Sequence, residues 1–212
     1  MPKSGTLPEN HQARDGNGNI ISATEGIFPI CEEIEKGKLR VIGTGFYITR
    51  YGLFMTARHV FDSLIRSPSQ KDYTLRIFHD TGSELHIRNV RRFCYSHHAD
   101  LALGEADNEI ERFPENPIQS RRAPMTTRIP TMGEKLATFA FPRNHLLDFT
   151  GDRTRPVQMF ADTYRGEFTC VQEPGKYDSA QIARYQTTVV LESGASGAPV
   201  FDVRGKTCAV AC

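Results

Sequence analysis

A serine hydroxyl is a poor nucleophile at neutral pH. It needs a neighbouring base, and the base needs an acceptor that fixes its tautomer. Three stretches of this chain offer those residue types. The strongest is Glu192-Ser193-Gly194-Ala195-Ser196-Gly197-Ala198-Pro199-Val200-Phe201, in which Gly194 and Gly197 flank Ser196. Glycines there let the backbone turn tightly with its N–H groups pointing outward, and two such groups in one turn can hold a developing oxyanion. Taken alone, the stretch reads equally as a Gly/Ser-rich hairpin turn. The second is Gly52-Leu53-Phe54-Met55-Thr56-Ala57-Arg58-His59-Val60-Phe61, where a strand ends at Thr56 and an imidazole follows on a helical turn. The third is His97-His98-Ala99-Asp100-Leu101-Ala102-Leu103, with an Asp just ahead of an apolar strand. That Asp could simply cap a turn, and His97 and His98 read as solvated loop residues. Together the three supply base, acceptor and nucleophile in the chain order His59, Asp100, Ser196.

These residues need a rigid frame. Short runs rich in β-branched and aromatic residues, separated by turn signals, mark the chain as all-β. In the first half they are Ile27–Cys31, Leu39–Thr49, Gly52–Thr56, Tyr73–Phe78, Leu85–Tyr95 and Leu101–Ala106. In the second they are Lys135–Phe141, Val157–Tyr164, Glu167–Gln172, Tyr185–Leu191, Pro199–Val203 and Thr207–Cys212. One helical turn is expected at Ala57–Leu64. Between the halves, Pro114, Pro117, Pro124 and Pro130 break regular structure, and Arg121, Arg122 and Arg128 read as solvated. The organisation predicted is a polar, flexible arm at 1–25, an N-terminal β-barrel at 26–110, a linker at 111–134 and a C-terminal β-barrel at 135–212. His59 and Asp100 fall in the first barrel and Ser196 in the second, so a cleft between barrels would join them.

Composition excludes several other roles. The 212 residues carry 26 basic and 25 acidic side chains, a formal net charge of +1. That gives no global electrostatic case for a nucleic-acid or membrane partner. No apolar run reaches the roughly 18 residues of a membrane helix, and the polar N-terminus has no signal-peptide core. The local cluster Arg88, Arg91 and Arg92 reads as a solvated strand face. Five cysteines, an odd number, are expected to be reduced thiols in a cytoplasmic setting. Their spacing does not suit a metal site, and no cofactor is expected.

The joint pattern resembles trypsin-like serine peptidases of the chymotrypsin fold, and is most similar to the bacterial HtrA-like branch. It is carried by Gly43-Thr44-Gly45-Phe46-Tyr47-Ile48-Thr49, Met55-Thr56-Ala57-Arg58-His59-Val60, Ala99-Asp100-Leu101-Ala102-Leu103 and Ser193-Gly194-Ala195-Ser196-Gly197-Ala198-Pro199-Val200. The resemblance spans residues 26 to 212. It implies His59 as general base, Asp100 as its orienter, Ser196 as nucleophile and the N–H groups of Gly194 and Ser196 as oxyanion hole. It implies substrate contacts around Val190, Leu191, Glu192 and Ser193. Without an acidic pocket floor at Val190 and Leu191, a small or medium apolar side chain is expected beside the scissile bond. Val60 stands where secreted members often have a cysteine, and Ala195 where many have an Asp that pairs with a freed N-terminus. Activation by that pairing is therefore not expected.

Relatives continue past the strand that here is Thr207–Cys212, so the second barrel is expected to be incomplete. The missing part would come from a further domain or partner beyond Cys212. The expected partner in the reaction is a protein or peptide substrate. The rival reading is an inactive barrel that binds proteins. An α/β-hydrolase is excluded: its nucleophile motif needs Gly where Ala198 stands, and no His follows Ser196.

Overall fold

In a computed structural model, described for residues 23–35, 37–62, 74–80, 85–107, 121–142, 146–148, 161–174 and 183–212, the chain is all-β. The first half comprises strands β1 (Ile27–Glu35), β2 (Lys38–Tyr47), β3 (Leu53–Thr56), β4 (Leu75–Asp80), β5 (Leu85–Tyr95) and β6 (Ala102–Ala106). They pair in the order β1-β4-β5-β6-β3-β2, and β2 pairs back on β1, which closes a six-stranded barrel. A 3-10 turn, Arg58–Phe61, follows β3 directly. It falls within the expected helical turn, of which residues 63–64 lie outside the described set. A short helix, α1 (Ala23–Gly26), precedes β1.

The second half comprises β7 (Lys135–Ala140), β8 (Leu146–Asp148), β9 (Asp162–Gln172), β10 (Arg184–Thr187), β11 (Pro199–Phe201) and β12 (Thr207–Val210). Five of these form a curled sheet in the order β10-β9-β7-β11-β12, a barrel left open between β10 and β12. The expected pair of barrels with the second incomplete is therefore what the chain forms. Among the described residues no helix is long and apolar enough to cross a membrane.

Three apolar clusters hold this arrangement. Phe28, Ile30, Tyr47, Phe54, Phe61 and Ile77 fill the first barrel. Leu136, Ala140, Phe168, Ala198 and Val200 line the second. The largest cluster joins the two: Ile27, Leu39, Val41 and Phe46 meet Ala137, Phe139, Phe141 and Phe201. Strand periodicity explains how β7 serves both sides. Leu136 and Ala140 face one way, Ala137 and Phe139 the other. A strand covered on both faces reads as a near-continuous apolar run, as Leu136 to Phe141 does but for Thr138, whose buried hydroxyl donates to the Pro199 carbonyl.

Several strand expectations are corrected. Val157–Tyr164 and Glu167–Gln172 were expected as separate strands. Residues 162–172 are one strand; Val157 to Phe160 lie outside the described residues. Gly166 is there because a Cβ would stand 2.5 Å from the Val189 N, so the chain after β10 can cross β9 only at a glycine. β10 stops at Thr187 rather than Leu191: the Thr188 N–H still donates to the Glu167 carbonyl of β9, but the Glu167 N–H goes to the Thr188 hydroxyl at 2.8 Å instead of a backbone carbonyl. β8, a short Leu-Leu-Asp stretch with no periodic signal, pairs with Lys38–Arg40 of β2 and so crosses to the first half.

Arg88 is not on a solvated face; it is 1% exposed. The β5–β6 ladder has an irregularity between Val90 and Arg92, and one extra residue reverses which face the following side chains take. Arg92 thus pairs with Glu105 on the surface while Arg88 points inward. There it donates to the Tyr47 hydroxyl at 2.8 Å and to the Asp107 and Ala106 carbonyls. Burial, and then the adjacent guanidinium, lowers the His79 pKa to about 3.

Arg128 is also anchored rather than solvated. It grips both oxygens of Glu134 and one oxygen of the fully buried Asp202, the latter at 2.7 Å. The other Asp202 oxygen accepts the N–H groups of Arg204 and Lys206. This network ties residues 128–134 to the turn after β11. Its hydrogen bonds outweigh desolvation and lower the Glu134 pKa to about 2. A depressed carboxyl pKa adds stability that is present above the unfolded value, about 4.3, and is lost as pH falls towards 2. Urea midpoints should therefore drop between pH 5 and 2, and Glu134→Gln should flatten that slope. An equal slope in the variant would remove Glu134 as its source.

Candidate active site

β3 delivers His59 to the mouth between the halves. Phe54 and Thr56 are buried and Leu53 and Met55 half-buried, the alternation of a strand with one core face. The chain then enters the 3-10 turn, with Val60 and Phe61 packed into the first barrel and His59 left 42% exposed at its side chain. Val60 is seated against Gly43, where any Cβ would lie 2.6 Å from it. Asp100 sits just ahead of β6, the strand paired with β3.

Asp100 receives His59 twice. The His59 backbone N–H donates to Oδ1 at 2.9 Å, and Nδ1 lies 2.6 Å from Oδ2. Burial works to raise the Asp100 pKa, but the hydrogen bonds from His59 prevail and its pKa is lowered. A carboxylate kept ionised on the Nδ1 side leaves Nε2 as the ring nitrogen free to take a proton. The Cys212 thiol, 3.6 Å from the Asp100 carbonyl, touches the same residue. Desolvation and the Asp100 charge push that thiol up to about 12, so it is not a thiolate nucleophile at neutral pH. All five cysteines are free.

The turn that bears Ser196 docks against the first half. Gly194 and Gly197 have φ of +94° and +89°, a region that disfavours other residues. The N–H groups of Ala195, Gly197 and Ala198 donate to the carbonyls of Glu192, Ala211 and Ala195. Among the described residues, the N–H groups of Gly194 and Ser196 meet no protein acceptor. Thr44 of β2 holds the turn: its N–H donates to the Ser196 carbonyl at 2.8 Å and its hydroxyl to the Gly194 carbonyl at 2.9 Å. A Cβ at Gly197 would stand 2.0 Å from Thr56 Oγ1 and 3.0 Å from the Ala57 N, so this turn abuts the segment that leads into His59.

The remaining sequence candidates lie upstream of the turn. Val190 is 79% exposed, Leu191 half-buried against the second-half cluster, and Glu192 and Ser193 exposed. Two contributors were not singled out from sequence. Thr44 stood inside a quoted motif with no role given, although a threonine between two glycines in an apolar strand is a visible anomaly. The Cys212–Asp100 contact had no sequence signal.

A trypsin-like peptidase domain family matches residues 43–210. The chain belongs to the trypsin-like peptidase family. As a trypsin-like peptidase it also shares its fold with solved structures. Deg5 superposes with a TM-score of 0.63 at 16% identity, over 89% of this chain and 79% of that one. The inactive serine-to-alanine mutant of Rv3671c from M. tuberculosis H37Rv superposes with a TM-score of 0.54 at 16% identity, over 89% and 74%. These matches bear out the trypsin-like peptidase family and the chymotrypsin fold. No curated protein sequence matches the chain.

Proposed function

We propose that this peptidase domain hydrolyses peptide bonds through Ser196, His59 and Asp100. Ser196 attacks the scissile carbonyl, and His59 takes its proton and returns it to the leaving amine. Asp100 holds the His59 tautomer and stabilises the imidazolium, and the N–H groups of Gly194 and Ser196 receive the oxyanion. Water then releases the acyl group by the same steps. The observation that carries this reading is the double hydrogen bond of His59 on Asp100, with a nearby turn whose Gly194 and Ser196 N–H groups meet no acceptor among the described residues.

The substrate proposed is a protein or peptide with a small or medium apolar residue before the scissile bond, met by the stretch from Val190 to Ser193. Five free thiols suit a reducing compartment such as the cytoplasm. Polar arm, first barrel, linker and second barrel are proposed at 1–25, 26–110, 111–134 and 135–212.

A fluorophosphonate probe should form one stoichiometric adduct, mapped by mass spectrometry to Ser196. Rapid labelling at pH 8 fits the mechanism. Absence of any adduct at Ser196 on the chain in its complete reading frame would favour the protein-binding alternative.

A further inference from the structure

The buried hydroxyl of Thr44 is more than a strand filler. Thr44 is fully buried, and it makes four hydrogen bonds, three of them across the junction of the two halves. Its N–H holds the Ser196 carbonyl and its carbonyl accepts the Thr56 hydroxyl at 2.7 Å. The Thr44 hydroxyl donates to the Gly194 carbonyl and accepts the Phe141 N–H at 3.1 Å. The side chain therefore links the turn that carries Ser196 to the segment that leaves β7, and the backbone of the same residue ties both to the strand end that leads to His59. That last link matters because the Phe141 and Pro142 carbonyls lie against Gly194, where an added Cβ would come within 2.8 Å of each.

We infer that Thr44 is a positioning residue for the oxyanion-binding turn, a role that rests on the peptidase reading above. With the carbonyls of residues 194 and 196 both anchored on Thr44, the backbone angles at these residues have little freedom. Their own N–H groups stay where a substrate oxygen would meet them. A methyl in place of the hydroxyl keeps the volume but takes from the Gly194 carbonyl and the Phe141 N–H their partner in a buried site. The turn then shifts, and a displacement of about 1 Å at such a site costs about 100-fold in rate.

The test compares Thr44→Val with Thr44→Ser by hydrogen exchange and by fluorophosphonate labelling. In Thr44→Val, exchange should rise about tenfold in peptides covering residues 139–142 and 193–198 and stay unchanged in β1 and β4. Labelling of Ser196 should slow about 100-fold. Thr44→Ser, which keeps the hydroxyl, should match the parent in both. Unchanged exchange at the turn in Thr44→Val overturns the inference. So does a rise spread evenly over the chain, or equal damage from Ser and Val. Failure of the parent itself to label would sink the peptidase reading instead, while the exchange comparison would still decide the role of Thr44.

Discussion

Ser196→Ala should lower peptide hydrolysis about 10⁶-fold, and Asp100→Asn about 10⁴-fold, with KM and fold preserved in both. The gap between the two variants has a physical origin. Without the Ser196 hydroxyl no acyl-enzyme forms, and only binding and the oxyanion site remain. With Asn at position 100 every covalent participant is present, but the amide can present an N–H to Nδ1. His59 is then held in the tautomer whose Nε2 carries the proton and cannot accept another. The geometry makes Asp100 doubly exposed to such a change, since its two oxygens serve the His59 ring and the His59 backbone separately. Steady-state kinetics on a chromogenic peptide, with circular dichroism as fold control, measure both. Asp100→Asn retaining parental kcat would remove Asp100 from the mechanism. Ser196→Ala retaining it would remove the mechanism itself.

Gly197→Ala should lower Tm by about 10 °C and slow Ser196 labelling about 100-fold. Two costs combine. A side chain at φ of +89° carries backbone strain of about 1–3 kcal/mol. The added Cβ would also overlap Thr56 Oγ1 and the Thr44 carbonyl, 2.0 and 2.1 Å away, and overpacking adds about 1–3 kcal/mol. Gly133 separates the two contributions. Its φ is +78°, yet nothing lies within 4 Å of an added Cβ. Gly133→Ala should show the strain alone, with a small fall in Tm and normal labelling. Equal effects at both glycines would mean that the docking of the Ser196 turn on Thr44 and Thr56 contributes nothing.

Much of this arrangement was legible in the residues. Ser196 and its flanking glycines, the strand into His59 and the aspartate ahead of β6 all depend on local chemistry: turn formation, strand alternation and side-chain type. β5 was readable to its ends because Leu85 to Tyr95 lacks glycine and proline. Arg88 was misread because an extended strand presents alternate faces only while its register is unbroken. The irregularity beside Val90 is one extra residue on β5 itself, since Val90 faces Ala106 and Arg92 faces Glu105, and no glycine or proline marks it. Residues 162–172 were not read as one strand because the use of Gly166, a crossing by residues 188–189, is contributed from far along the chain.

The amino-acid sequence by itself determined the all-β fold class, through side-chain chemistry and period-two patterning, and it offered His59, Asp100 and Ser196 as the residue types for acyl transfer. The open second barrel was expected from the resemblance to longer peptidases. Tertiary structure alone decided which groups hold that site in place. The Thr44 hydroxyl on Gly194, the Asp202 carboxylate on Arg128 and the Cys212 thiol at Asp100 are contacts between residues distant in the chain. No local pattern encodes such pairs, because hydrogen-bond partners and burial are set by the packing of one half on the other.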